Sequence, residues 1–163
     1  MLPPFFLPMG FNEILKRLRR INLVNLTADA MVENPLPAIV LNRAQMMEGK
    51  GKDGGTLGRY VDDPYFAGRP KQAEAYERYK AKITPQTPRG VRNFFINGYT
   101  HSLIKLEVVG QGYRMVANVP WGTDIQNKTG NQALGLTQES REYLWSKIWG
   151  PVVKRKFATE FLK

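Results

Sequence analysis

Three observations on this 163-residue chain predict an α+β fold. Apolar residues recur at helical spacing near both ends, two segments between Ser102 and Val119 alternate at strand spacing, and a glycine- and proline-rich stretch lies in between. The expected architecture is a small antiparallel sheet packed against N-terminal and C-terminal helices, with an extended terminal arm and a long loop. Residues 1–10 are read as the arm and residues 11–163 as one domain whose loop spans 49–70.

Taken in order, the chain opens with Met1-Leu2-Pro3-Pro4-Phe5-Phe6-Leu7-Pro8-Met9. Prolines exclude a regular helix there, and no basic run precedes the apolar residues as it does in a secretory signal. An extended arm is expected, with Leu2, Phe5, Phe6 and Leu7 offered to another chain or folded onto its own domain. Phe11 to Glu33 reads as the first helix, capped by Asn12 and striped by Ile14, Leu15, Leu18, Ile21 and Leu26. Asn34-Pro35-Leu36-Pro37 ends it, because proline lacks a donor and disfavours helix in the residue before it.

A short element from Ala38 to Glu48 follows, and then the Gly49 to Pro70 loop. A loop of that length in a compact domain is usually functional or held by a partner. Lys71 to Ile83 is a charged helix with tyrosines, broken by Thr84-Pro85-Gln86-Thr87-Pro88. Phe94, Phe95 and Ile96 form a further strand or a short helix before a turn at Asn97-Gly98. Ser102 to Val109 places Ile104, Leu106 and Val108 on one face, and Tyr113 to Val119 does the same with Tyr113, Met115, Ala117 and Val119. Gly110-Gln111-Gly112 joins them as a hairpin.

The last helix starts at Thr137, whose hydroxyl caps it while Glu139 meets the positive dipole end. Leu144, Ile148 and Trp149 face the core. Pro151 either kinks this helix or opens a second one at its first position, where the missing amide hydrogen costs nothing.

The formal net charge of +10 calls for an anionic neighbour, either nucleic acid or an acidic protein surface. Its clusters are Lys16, Arg17, Arg19 and Arg20; a spread from Arg69 to Arg92; and Lys154, Arg155 and Lys156. None of them sits in a zinc finger, an RNA-recognition sheet or a helix-turn-helix, so the charge points to phosphate contact without sequence reading. The absence of cysteine removes disulfides, zinc–cysteine sites and thiol catalysis, and fits assembly in a reducing cytoplasm.

Catalytic signatures are missing. His101 is the sole histidine, no serine lies in a G-x-S-x-G setting, and Gly49-Lys50-Gly51-Lys52 lacks the Ser or Thr that follows a P-loop lysine. Asp62-Asp63 has the chemistry for a divalent ion but reads more simply as solvated carboxylates. No catalytic residue, cofactor or metal is therefore expected.

The most distinctive stretch is Leu41-Asn42-Arg43-Ala44-Gln45-Met46-Met47-Glu48-Gly49-Lys50, continuing through Asp53-Gly54-Gly55 and Leu57-Gly58-Arg59 to Tyr60. It resembles small structural proteins from the neck or upper tail of tailed, crAss-like bacteriophages that infect Bacteroides-type hosts. Leu134-Gly135-Leu136-Thr137, which introduces the last helix, resembles the end of the same proteins. The resemblance implies a virion protein, assembled in the bacterial cytoplasm, that joins portal and tail and helps seal or guide the DNA channel.

The implied partners are copies of itself in a ring of about six or twelve, the portal, and other neck or tail proteins. Non-specific contact with packaged DNA is also implied, and a membrane is not. Lys50, Lys52 and Arg59 become loop contacts to the channel or to an acidic partner. The alternative class is a basic, non-sequence-specific nucleic-acid-binding protein. Against it stands the lack of aromatic residues interleaved with the basic clusters along the sequence.

Overall fold

The computed structural model describes residues 10–95, 98–110 and 112–163. Helices α1 (Phe11–Arg20), α2 (Leu23–Glu33) and α3 (Leu36–Met47) come first, followed by α4 (Pro70–Ile83) and the single turn α5 (Tyr99–Ser102). Strands β1 (Ile104–Val109) and β2 (Gly112–Ala117) form the sheet, and α6 (Gly122–Thr129), α7 (Gln138–Leu144) and α8 (Gly150–Leu162) complete the chain. Mixed helix with a two-stranded antiparallel sheet is the α+β class read from the sequence.

The strand register sets Ile104 opposite Ala117, Leu106 opposite Met115 and Val108 opposite Tyr113. One face of the ribbon is thus wholly apolar, as the alternation required. Met46, Leu57, Ile104, Met115, Ile125, Ala133 and Leu134 form one core cluster, while Ala30, Met31, Ala38, Leu136, Leu144 and Trp149 form another. Leu106 and Tyr113 pack against both, so the hairpin is the wall the two clusters share.

The expected helix from Phe11 to Glu33 is two helices. Asn22 divides them: its side-chain oxygen accepts the amides of Val24 and Asn25 at 3.0 and 3.2 Å, a better cap than Asn12 could make. Asn12 lies inside α1, and Gly10 holds the cap position without a side-chain bond. Ile21 is extended, which breaks the single stripe expected from Ile14 to Leu26, and of those residues only Leu26 is buried.

The 49–70 segment carries single 3-10 turns at Tyr60–Asp62 and Pro64–Phe66 and is fastened to its own subunit. Lys52 donates its amide to Gln132, Tyr60 to Gly90, and Arg92 to Gly58, at 2.9, 3.1 and 2.9 Å. Phe94 and Phe95 lie in no regular element, contrary to the expected strand or helix, and Phe94 has φ 52°. Ile96, Asn97 and Gln111, named in the expected strand and turns, lie outside the described residues.

Thr137 caps α7 as expected, its hydroxyl oxygen accepting the Ser140 amide at 3.2 Å. Between α7 and α8 the chain widens into a π-turn at Trp145–Trp149, with Pro151 just beyond. Proline cannot donate to a carbonyl one turn back and its ring would strike it, and the wider turn relieves both. Gly150 is required there, because a Cβ would collide with the Trp145 carbonyl. Leu144 and Trp149 are buried, and the Trp149 indole donates to the Asn34 carbonyl at 3.1 Å. Alongside, Lys156 of α8 pairs with Glu33 of α2 at 2.6 Å.

Candidate functional site

A cleft of about 850 Å³ is framed by the Tyr60–Phe66 turns, α4, the Arg92–Phe95 segment, α5 and α6. Tyr60, Phe66 and Ala73 are buried behind one wall, with Tyr76 packed edge-on to Tyr60 at 4.9 Å. The other wall carries Tyr99 and Trp121, their rings 5.9 Å apart, and the Trp121 indole donates to the Thr100 hydroxyl at 3.1 Å. That bond fixes the plane of a ring that is nearly half exposed. Tyr65 stands exposed at the rim with the Arg69 guanidinium over its face at 5.5 Å, a cation–π distance.

Charge in the cleft is organised around two groups. Asp63 is buried, accepts the Tyr65 amide at 2.9 Å, and lies 3.3 Å from Lys128 Nζ and 3.8 Å from Arg92 Nη1. This site is a two-cation hub, so the divalent-ion chemistry open to Asp62-Asp63 has no geometric support: Asp62 is exposed, and Asp63 is already compensated. Among the described residues no cluster of three or more metal-ligating side chains exists.

The second group is Lys80, which is only 4% exposed. Its Nζ has no hydrogen-bond partner among the described residues. Desolvation pulls its pKa down to about 8, since burial disfavours the charged form. Burial raises the phenol pKa values of Tyr60 and Tyr76, so these two rings stay neutral even in alkaline solution. His101 is buried behind Phe95, with Nε2 2.9 Å from the Asn93 carbonyl, and burial lowers its pKa. Its place is that of a core histidine.

Gly58 explains part of this geometry. At φ +86° it adopts a left-handed backbone, and a Cβ on it would strike the Arg92 guanidinium, which lies directly over the loop.

The residues expected to be functional are placed elsewhere. Leu2, Phe5, Phe6 and Leu7 lie outside the described residues. Lys50 is paired with Glu48 at 2.7 Å, which raises its pKa, and Arg59 reaches Glu77 of α4 at 3.8 Å. Lys52 makes no ion pair among the described residues and lies along the Gly135 backbone. None of the three lines the cleft.

Of the cleft residues, sequence reasoning named Asp63 as half of a divalent-ion pair and Lys80 and Arg92 only within the basic spread, and it did not bring them together with the aromatic residues. They are scattered from Tyr60 to Lys128, and only the fold sets aromatic and basic groups side by side. One signal was present: Ala73, Tyr76 and Lys80 fall at helical spacing, which puts a lysine on the inward stripe of α4.

Comparisons with known proteins add no relative: no family model matches the chain, and neither a curated protein nor a solved structure matches it. Among the described residues no helix is long and apolar enough to cross a membrane.

Proposed function

We propose that this chain is a structural subunit of a phage head-to-tail junction, assembling with copies of itself as a ring that joins portal and tail. The observation that carries this reading is α1. Phe11, Ile14, Leu15 and Leu18 follow the helical period, yet the helix buries none of its 10 residues, and Phe11 is 73% exposed. A helix this short is not stable alone and draws its stability from packing. Arg17 ties it to the rest of the subunit by donating to the Phe161 carbonyl at the end of α8, at 2.9 Å, while Ile14 and Leu15 are half-buried.

Exposed Leu23, Val24, Val32, Leu36 and Val40 carry apolar surface onward into α2 and α3. Apolar side chains exposed on three successive helices are the material of a protein contact. A closed ring covers one heterologous patch on every copy, which is what the resemblance to phage neck proteins calls for. Lys16, Arg19 and Arg20 are exposed on the same helix and are available to acidic neighbours or to DNA in the channel.

Electron microscopy of purified particles tests the reading. Rings of this subunit between portal and tail are expected, and particles that hold it only as isolated copies, or lack it, overturn it. A second reading, basic nucleic-acid binding, is favoured by one specific observation. The cleft brings together the aromatic and cationic groups that the linear sequence keeps apart.

A further inference from the structure

The cleft holds three features that a merely structural hollow does not need. Lys80 keeps a buried ammonium nitrogen with no hydrogen-bond partner among the described residues, which is costly unless an anion sometimes meets it. Trp121 and Tyr65 are large aromatic side chains left exposed at its rim, Tyr65 with the Arg69 guanidinium over one face. Gln72 and Thr100 line the same space and offer polar side-chain atoms.

We infer that this cleft binds one unpaired nucleotide of single-stranded nucleic acid, its base stacked on the exposed ring of Trp121 and its phosphate drawn to Lys80. The proposal rests on the nucleic-acid reading for its class of ligand and is independent of ring assembly. A nucleotide unit joins a flat face to one negative charge, and the cleft offers flat faces and one uncompensated positive charge. Its volume of about 850 Å³ lies within the range of small-ligand sites. Lys128 and Arg69 flank the rim, where neighbouring phosphates of the strand would pass.

Asp63 does not oppose the strand, because Arg92 and Lys128 already compensate it. Asp124 is exposed on α6 and remains the one carboxylate lining the cleft without a cation beside it among the described residues. The Lys80 stem is flexible enough to turn its ammonium toward the phosphate, and the anion would replace the solvation that burial removed. A duplex cannot use the site, since its bases are stacked inward and only rim cations would touch its backbone.

The test is fluorescence anisotropy on the full chain with a labelled oligothymidine of about twelve nucleotides and a duplex of equal length, at low and at physiological salt. Trp121→Ala and Lys80→Met should each weaken single-strand binding about tenfold or more and leave duplex binding within about twofold, while Trp121→Phe restores much of it. Lys154→Ala with Arg155→Ala, away from the cleft, should weaken both ligands by the same factor. Thermal melts of each variant verify folding.

Single-strand binding that is unmoved by Trp121→Ala and Lys80→Met overturns the site while leaving general nucleic-acid binding intact. No binding of either oligonucleotide at low salt overturns the nucleic-acid reading as well. Displacement of the oligonucleotide by a tyrosine–glutamate peptide that binds more tightly through the same residues overturns the ligand class.

Discussion

The Asn42 side-chain amide donates to the Gly135 carbonyl at 2.7 Å, across 93 residues of chain, and to the Ala133 carbonyl at 2.9 Å. Gln45, one helical turn on, completes the junction. Its amide donates to Gly135 at 3.3 Å, and its oxygen accepts from the Thr137 amide at 3.3 Å and the Ser140 hydroxyl at 3.0 Å. The segment around Asn42 and Gln45 and the Leu134–Thr137 segment, on which the expectation of a phage neck protein rests, are therefore the two halves of one polar clamp. It holds α3 against the turn that starts α7. Asn42 and Gln45 are thus fold determinants, which leaves α1 and the cleft as the surfaces open to contact.

Asn42→Ala should destabilise the subunit by about 1 to 3 kcal/mol, because the buried Ala133 carbonyl loses its side-chain donor at about that cost, while Gly135 keeps the Gln45 amide. Urea unfolding of wild type and variant measures this directly. A loss below about 1 kcal/mol would mean that the carbonyls find other partners and that the clamp is not a determinant of the fold.

Lys80 makes stability depend on alkaline pH. Its folded pKa, lowered to about 8, lies below the ordinary 10.5, so between these values the unfolded chain binds more protons. Stability should rise as pH increases from 8 and fall back as pH drops through 8. The raised phenol pKa values of Tyr60 and Tyr76 act in the opposite sense above about pH 10, which confines the clear window to about 8 to 9.5. Lys80→Met should be more stable than wild type at pH 7, by an amount on the order of 1 to 3 kcal/mol, and should lack the rise. Urea midpoints of both proteins across that window give the comparison, and parallel curves would show that the ammonium is not desolvated.

The α1 surface separates folding from assembly. Phe11→Ser with Leu18→Ser changes two exposed side chains, so the melt of the isolated subunit should stay within a few degrees of wild type. Incorporation into particles should be lost. Phe5→Ala with Phe6→Ala in the arm should behave alike if the arm docks on another chain. A sharply lowered melt in either variant would assign those residues to their own subunit's core.

Much of the fold was legible because local signals agreed with it. Ile104, Leu106 and Val108 alternate, Thr137 caps, and Leu144 and Trp149 share a stripe, each fixed by residues near in sequence. The split at Asn22 was hidden because the apolar period runs through it, and a competing cap decided the boundary. The cleft was illegible for another reason. Tyr60, Lys80, Arg92 and Trp121 meet only after α4, α5 and α6 have packed, and no short-range pattern encodes that meeting. Lys50 and Arg59 were read as contacts to the channel or an acidic partner, but Lys50 pairs with Glu48 two residues before it, and the fold brings Glu77 to Arg59.

Gly58→Ala tests whether the loop and the cleft are one mechanical unit. The substitution forces a Cβ into a left-handed backbone and against the Arg92 guanidinium, so either the loop or Arg92 must move. If Arg92 moves, it leaves Asp63 and the Lys128 carbonyl, which it approaches at 3.8 and 3.3 Å, and Asp63 keeps only one of its two cations, Lys128. Backbone strain alone costs about 1 to 2 kcal/mol, and loss of the buried contacts adds to it. The expected result is a total of about 2 to 4 kcal/mol by urea unfolding, together with weaker single-strand binding in the folded variant. A variant that loses only about 1 kcal/mol and binds like wild type would show that the loop alone shifts. In that case Gly58 shapes the turn and has no part in positioning Arg92.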